Sequence, residues 1–216
     1  MADYTQPHWD RSALVVIDFQ RDFLDDGVAP IPGTTAVVPK VASLVKGFRN
    51  AGRPIIHVVR LYQPRGSDID LPRRDSIEKG TVVAAPGTEG SQVAAGVVPN
   101  GFRLDADLLL AGKTQEVGPN EVVIFKPRWS AFYRTELEAL LRARGCDTVV
   151  VAGCNLPNCP RATLFDASER DFRAALVQDA VSQTSYERLA DLERIGITLY
   201  STTDVLASVR GSGSGH

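Results

Sequence analysis

Residues 148–180 read TVVVAGCNLPNCPRATLFDASERDFRAALVQDA. An apolar, β-branched run at 148–152 leads into a polar loop. A helical stretch follows, with Ala162, Phe165 and Phe172 on one face, and a second apolar run occupies 174–177. Strand, helix and strand in that order form a right-handed crossover that brings the second strand back parallel to the first. The neighbourhood of this unit is therefore expected to be a parallel sheet with covered faces.

The same alternation extends in both directions. Residues 13–17 (ALVVI) form a continuous apolar run too short for a buried helix, which suits a central strand, and the run stops at Asp18. A helix is expected next, carrying Val38, Val41, Leu44, Val45 and Phe48, with Pro39 in its first turn and Gly52 near its end. Strands follow at 55–59 and 122–125. Thr135-Glu136-Leu137-Glu138 has the form of a capping box for a helix that exits at Gly145, and Thr184 opens a second Thr-x-x-Glu start. A last strand is expected at 197–200. Between them, residues 62–120 are rich in Gly, Pro and charge, and read as a long excursion with short helices and a small hairpin, of the kind that builds lids. The expected fold is a Rossmann-like three-layer α/β sandwich, with a mostly parallel central sheet and helices on both faces. It forms one domain over residues 1–210, and 211–216 (GSGSGH) read as a linker and tag remnant.

The 216 residues are 44% hydrophobic with a formal charge of −2, enough for one sizeable core and without the basic bias of a nucleic-acid or membrane-surface binder. The first residues, MADYTQPHWDRS, lack the basic start and apolar core of a secretory signal, so a cytoplasmic protein is expected. Three cysteines, Cys146, Cys154 and Cys159, fit a reducing compartment better than a disulfide framework.

Ligands of open parallel sheets collect beyond the carboxyl ends of the strands. Three of those ends carry a reactive group: Asp18 after VVI, Lys126 after VVIF, and Cys159 at the end of the loop GCNLPNC. Singly, an Asp there is often a cap, a Lys is usually solvated and a Cys can be packed. Together on one rim, a thiol, a cation and a carboxylate are the parts of a nucleophilic site. Pro160 marks the start of a helix at Cys159, where the helix N-terminus and a nearby ammonium favour thiolate. The turn after the first strand, DFQRDF, has no glycine fingerprint, which argues against a dinucleotide-binding oxidoreductase.

VVIDFQRDF, FKPRWSAFYRTEL and VVVAGCNLPNCPRATLFDASERDFRAALVQDA, in this order on these elements, resemble the isochorismatase-like cysteine hydrolase superfamily from about Arg11 onward. The resemblance implies Asp18, Lys126 and Cys159 as the catalytic triad. It also implies a cis peptide at Cys154–Asn155 and an oxyanion hole built from the N–H groups of Asn155 and Cys159. Metal-binding relatives, the nicotinamidases, follow the second strand with Asp-x-His, whereas this chain reads VVRLYQPRGSDID. The resemblance is therefore to the metal-free amidohydrolase branch, similar to N-carbamoylsarcosine and ureidoacrylate amidohydrolases, with no metal and no cofactor. His57 and His8 are expected to be structural. The implied reaction is C–N cleavage of a small amide, ureide or N-carbamoyl compound through a thioester on Cys159, releasing ammonia or amine.

The expected partner is a small-molecule substrate, with neither nucleic acid nor membrane involved. The resemblance also implies a homo-oligomer, dimer or tetramer. Candidate substrate-binding residues are Phe23, Arg60, Tyr62, Trp129, Phe132 and Arg161, an aromatic and cationic set close in sequence to the strand ends. If Arg60 faces the pocket, its guanidinium suits a carboxylate or carbamoyl group. Rival readings are an isochorismatase-type vinyl-ether hydrolase, which needs no thiol, and a non-catalytic thiol-bearing homologue.

Overall fold

The computed structural model describes residues 3–64, 66 and 68–211, so residues 212–216 of the expected tag remnant lie outside it. Strand β1 (Ser12–Ile17) is buried along its whole length. Its side chains alternate between two cores: Leu14 and Val16 join one cluster, and Ala13, Val15 and Ile17 join the other. A continuous apolar run is therefore what this position requires, since a strand covered on both faces has no side free for water. β2 (Ile55–Val59) and β5 (Thr148–Gly153) flank it, both parallel.

Beyond β2 lie β4 (Glu121–Phe125), which is parallel, and β3 (Gln115–Gly118), which is antiparallel to β4. On the other side, β6 (Arg173–Val181) and β7 (Thr198–Tyr200) continue the parallel sheet. The order is β3-β4-β2-β1-β5-β6-β7. The chain thus runs outward from β1 first through β2 and later through β5, which makes the β1/β5 border the topological switch point.

One face is covered by α1 (Thr34–Asn50), through Val41, Leu44, Val45 and Phe48, and by α7 (Thr202–Gly211), through Val205 and Val209. The other face is covered by α4 (Leu137–Ala143), α5 (Cys159–Ser168) and α6 (Tyr186–Arg194). The excursion contributes α2 (Leu71–Glu78), α3 (Ala106–Leu110) and β3, whose hairpin onto β4 turns through Asn120 at φ +56°. Gln20 ties the excursion to the sheet, donating from Nε2 to the carbonyls of Arg60 at 2.8 Å and Ser91 at 2.7 Å. No helix among the described residues is long and apolar enough to cross a membrane.

Several local expectations change. Helix α1 starts at Thr34, so Pro39 falls inside it, where it forgoes the bond an amide would make one turn back. The buried face of α5 carries Thr163, Leu164 and Ala167. Phe165 is exposed, and Phe172 lies past the helix end. Thr135 does not close a capping box; its hydroxyl donates to the Ala131 carbonyl at 2.5 Å. Ser185, not Thr184, caps α6 by accepting from the Arg188 N–H. β6 runs past Val177 because Gln178 and Asp179 interrupt its apolar pattern without ending its path. Helix α7 was not anticipated, although Ser201 and Asp204 form a reciprocal cap at its start.

At the opposite, amino end of β4, Glu121 accepts from Arg49 Nε at 2.5 Å and Nη2 at 2.6 Å, and lies 2.7 Å from His57 Nε2. His57 is thereby engaged within the β2–β4 pair, while His8 Nδ1 lies 2.8 Å from Asp147. Burial alone would raise the Glu121 carboxyl, but Arg49 and His57 more than offset it and bring its pKa to about 2. A carboxylate with a lowered folded pKa stabilises the fold above its unfolded pKa, and that stability is lost as pH falls toward the folded value. Glu121→Gln is accordingly expected to cost on the order of 2 kcal/mol at neutral pH. In urea unfolding across pH, the gap to wild type should close between about pH 4.5 and 2. A gap that stays constant to pH 3 would contradict this role.

Candidate active site

The strand register sets the site. Ile17 stands level with both Val58 and Gly153, and Val59 with Phe125. The ladder continues one residue past each strand, because the N–H groups of Asp18, Lys126 and Cys154 donate to the carbonyls of Val58, Val59 and Ile17 at 2.8, 3.0 and 2.9 Å. Asp18, Arg60, Lys126 and Cys154 therefore start the four loops of one rim. Asp18 adopts φ +48°, turning the chain sharply off the central strand. Gly153 has φ +120°, and a Cβ there would sit 2.3 Å from the Ile17 carbonyl oxygen, so only glycine lets β5 close against β1 at this point.

Lys126 has no accessible surface and donates from Nζ to Asp18 Oδ2 at 2.8 Å and to the Arg128 carbonyl at 3.2 Å. The other carboxylate oxygen, Asp18 Oδ1, is buried and has no hydrogen-bond partner among the described residues. One oxygen is thus committed to the ammonium and one is open as an acceptor. Cys159 opens α5 and is nearly buried, and Pro160 follows it in the first turn, where a missing N–H costs nothing. The Cys154–Asn155 peptide is cis. Among the described residues, neither the Asn155 nor the Cys159 N–H is taken up by a backbone carbonyl. The Asn155 side chain donates to Gln183 Oε1 at 2.7 Å.

A cavity of about 190 Å³ joins these groups. Asp18, Cys154, Asn155, Asn158 and Cys159 form its reactive wall, Phe23, Ile31, Tyr62 and Trp129 its apolar walls, and Arg60, Pro72 and Arg73 the remainder. Phe23, Arg60, Tyr62 and Trp129 are thus placed where the sequence suggested. Phe132 and Arg161 are not: Phe132 packs against Phe172, and Arg161 is exposed with its guanidinium over Phe165. A larger cavity of about 350 Å³ lies at the opposite end of β6, around Arg173 and Ala174, away from the rim.

Arg60 faces the cavity but is already engaged. It donates to the Tyr62 hydroxyl from Nη2 at 2.8 Å and from Nε at 3.1 Å, and it pairs with Asp70. Ile31, Pro72 and Arg73 were missed by sequence reasoning, and Arg73 carries no periodic or motif signal. The described residues hold no group of three or more His, Cys, Asp or Glu side chains arranged for a metal ion.

The electrostatics refine the expected thiolate. Burial, followed by the Asp18 charge, pushes the Cys159 thiol up to about 12, although Lys126 and Arg60 pull the other way. The resting group is the neutral thiol beside a carboxylate, because desolvation outweighs both the ammonium and the helix N-terminus. Cys154 is pushed up to about 11, chiefly by burial, with Thr34 Oγ1 3.5 Å from its sulfur.

A sulfur, a carboxylate with one open oxygen and a buried lysine thus meet at the switch point of a parallel α/β sheet. The isochorismatase domain model matches residues 12–199, and the chain belongs to the isochorismatase family. It is 33% identical to a probable inactive nicotinamidase of Arabidopsis thaliana, over 92% of this chain and 98% of that one. It is 32% identical to a maleamate amidohydrolase of Pseudomonas putida, over 79% and 72%. The solved structure of N-carbamoylsarcosine amidase from Thermoplasma acidophilum superposes with a TM-score of 0.70 at 28% identity, covering 89% of this chain and 96% of that one.

In the free protein, Cys159 alkylation by iodoacetamide, followed by peptide mass spectrometry, is expected to be slow at pH 7. It should accelerate about tenfold per pH unit up to pH 9 without levelling off, as a thiol ionising only at high pH requires. A plateau with a midpoint below pH 7 would show a resting thiolate and contradict the account.

Proposed function

We propose that this protein is a cysteine amidohydrolase that cleaves the C–N bond of a small amide, ureide or N-carbamoyl compound through a thioester on Cys159. The observation that carries the reading is the open Asp18 Oδ1 in the same cavity as a neutral Cys159, with Lys126 committed to Oδ2. In this mechanism the thiol proton passes to Asp18 as sulfur attacks the carbonyl carbon. The tetrahedral oxygen takes hydrogen bonds from the N–H groups of Asn155 and Cys159, each worth roughly 3 kcal/mol in comparable sites.

Asp18 then returns its proton to the departing nitrogen, the C–N bond breaks, and ammonia or amine leaves an acyl or carbamoyl thioester. The same carboxylate next accepts a proton from water as the water oxygen attacks the thioester carbonyl. Its collapse expels the sulfur, which takes the proton back. Lys126 holds Asp18 by its Oδ2 oxygen, so the carboxylate serves in turn as base and acid in each half-reaction.

The relatives support this class of bond: one is named for maleamate and another for N-carbamoylsarcosine. The Arabidopsis relative, named a probable inactive nicotinamidase, favours a second reading, a thiol-bearing homologue without catalysis. Ammonia release separates the two. With no added metal, a panel of primary amides, N-carbamoyl acids, ureides and nicotinamide is offered to wild type and to Cys159→Ala, both verified as folded. Release by wild type from at least one member, reduced at least a thousandfold in the variant, is expected on the order of what loss of a covalent nucleophile costs. Equal release by both would remove Cys159 as nucleophile.

A further inference from the structure

The loop that leaves β5 is held by the chain that leaves β6. Gly153 and Val181 stand level at the end of this strand pair. One residue on, the Ser182 N–H donates to the Gly153 carbonyl at 3.1 Å, and the Leu156 N–H donates to the Ser182 carbonyl at 2.9 Å. Two backbone bonds to a single residue thus bracket residues 154 and 155. Ser182 is itself fixed from α1, because its hydroxyl accepts from Thr34 Oγ1 at 3.0 Å and both residues are buried.

Gln183 adds the tie that these bonds leave out. It adopts φ +59°, in a region few residues with side chains enter, and its carbonyl accepts from Arg188 Nη1 at 2.8 Å. Its side-chain Oε1 accepts from Asn155 Nδ2 at 2.7 Å, across 28 residues of chain. Asn155 lines the cavity, and its carbonyl is taken by the Asn158 N–H at 3.0 Å. Side chain and carbonyl are thus both engaged, while its own N–H is not taken up by any backbone carbonyl among the described residues. With the Gly153 carbonyl and the Leu156 N–H pinned, the motion left to Asn155 is a rocking of its Cα between them. Backbone nitrogen and Cβ branch from that one carbon, so anchoring the side chain also sets the direction of the N–H.

We infer that Gln183 is a positioning residue that aims the Asn155 N–H into the thiol cavity. The inference rests on the amidohydrolase reading, in which that N–H meets the tetrahedral oxygen. It gives a part in the reaction to the end of β6, none of whose residues lines the cavity. A donor of this kind is effective only when aligned on the place the oxygen will occupy, so its misalignment weakens a tetrahedral adduct and leaves other reactions of the thiol untouched. What Asn155 requires of residue 183 is an acceptor oxygen at the right reach. Glutamate supplies one, and methionine offers similar length with only a weakly accepting sulfur.

Two electrophiles separate the donor from the thiol. When sulfur adds to an aldehyde, the S–C bond forms, the carbonyl π pair moves onto oxygen and the thiol proton ends there, so the adduct carries the tetrahedral oxygen without any turnover. Iodoacetamide is attacked at a saturated carbon instead; iodide and the thiol proton leave, and no oxyanion forms. Thiohemiacetal formation with isotope-labelled acetaldehyde and glyoxylate is followed by NMR in wild type, Gln183→Met and Gln183→Glu, all verified as folded, with Cys159→Ala as the blank. Gln183→Met is expected to weaken the adduct about tenfold and Gln183→Glu to stay within about threefold of wild type, while the three alkylation rates agree within about twofold. No adduct in wild type, an unchanged adduct in Gln183→Met, equal losses in both variants, or a parallel fall in alkylation would each overturn the inference. The expected pattern without ammonia release by wild type would leave the positioning role standing and count against the hydrolase reading.

Discussion

Where three parallel strands and a glycine-terminated fourth end level with one another, a fully buried ammonium faces a carboxylate at 2.8 Å. Lys126 has no accessible surface and Asp18 almost none, so each charge is tolerated only because the other is present. Removing either partner would leave an uncompensated buried charge, which commonly costs 3–5 kcal/mol. The pair therefore constrains the rim as much as the rim constrains the pair. Lys126 must follow β4 immediately and Asp18 must follow β1 immediately, and the positive φ of Asp18 turns the chain away at once.

The same burial bears on the thiol. It keeps Cys159 protonated at rest and makes the open oxygen of Asp18 the natural destination for its proton. In the proposed mechanism, activation therefore accompanies substrate binding, rather than being stored as a thiolate exposed to oxidants. The cis peptide at Cys154–Asn155 lies on the loop between β5 and α5, and Cys159 opens α5. Base and proposed oxyanion donors are thus supplied by different elements that meet at the switch point.

Much of this was legible in the sequence for physical reasons. ALVVI is a continuous apolar run, and IIHVV nearly one, because their strands are covered on both faces, and the residues that follow such runs start the loops of one rim. What failed were inferences from closeness in sequence. Arg161 lies two residues beyond Cys159, but two steps around a helix turn it away from the cavity and onto Phe165. Phe132 follows Trp129 by three, yet it is buried under Phe172 and Arg170. Arg73 was invisible because α2 has a single buried residue, Ile77, and hence no apolar period. Its place depends on a contact between Arg60 and Asp70 that no local pattern announces. Helix α7 was missed although Ser201-Thr202-Thr203-Asp204 has a capping form, because its apolar face is only three residues, Val205, Leu206 and Val209.

The central claim is that sulfur, not water, makes the first bond to the substrate. Acid quenching during steady-state turnover, followed by mass spectrometry of the peptide containing Cys159, tests it most directly. The account predicts an adduct on Cys159 whose mass equals the substrate acyl or carbamoyl group, appearing within one turnover and disappearing when substrate is exhausted. Turnover with Cys159 unmodified, and with oxygen from labelled water entering the product in a single step, would contradict it.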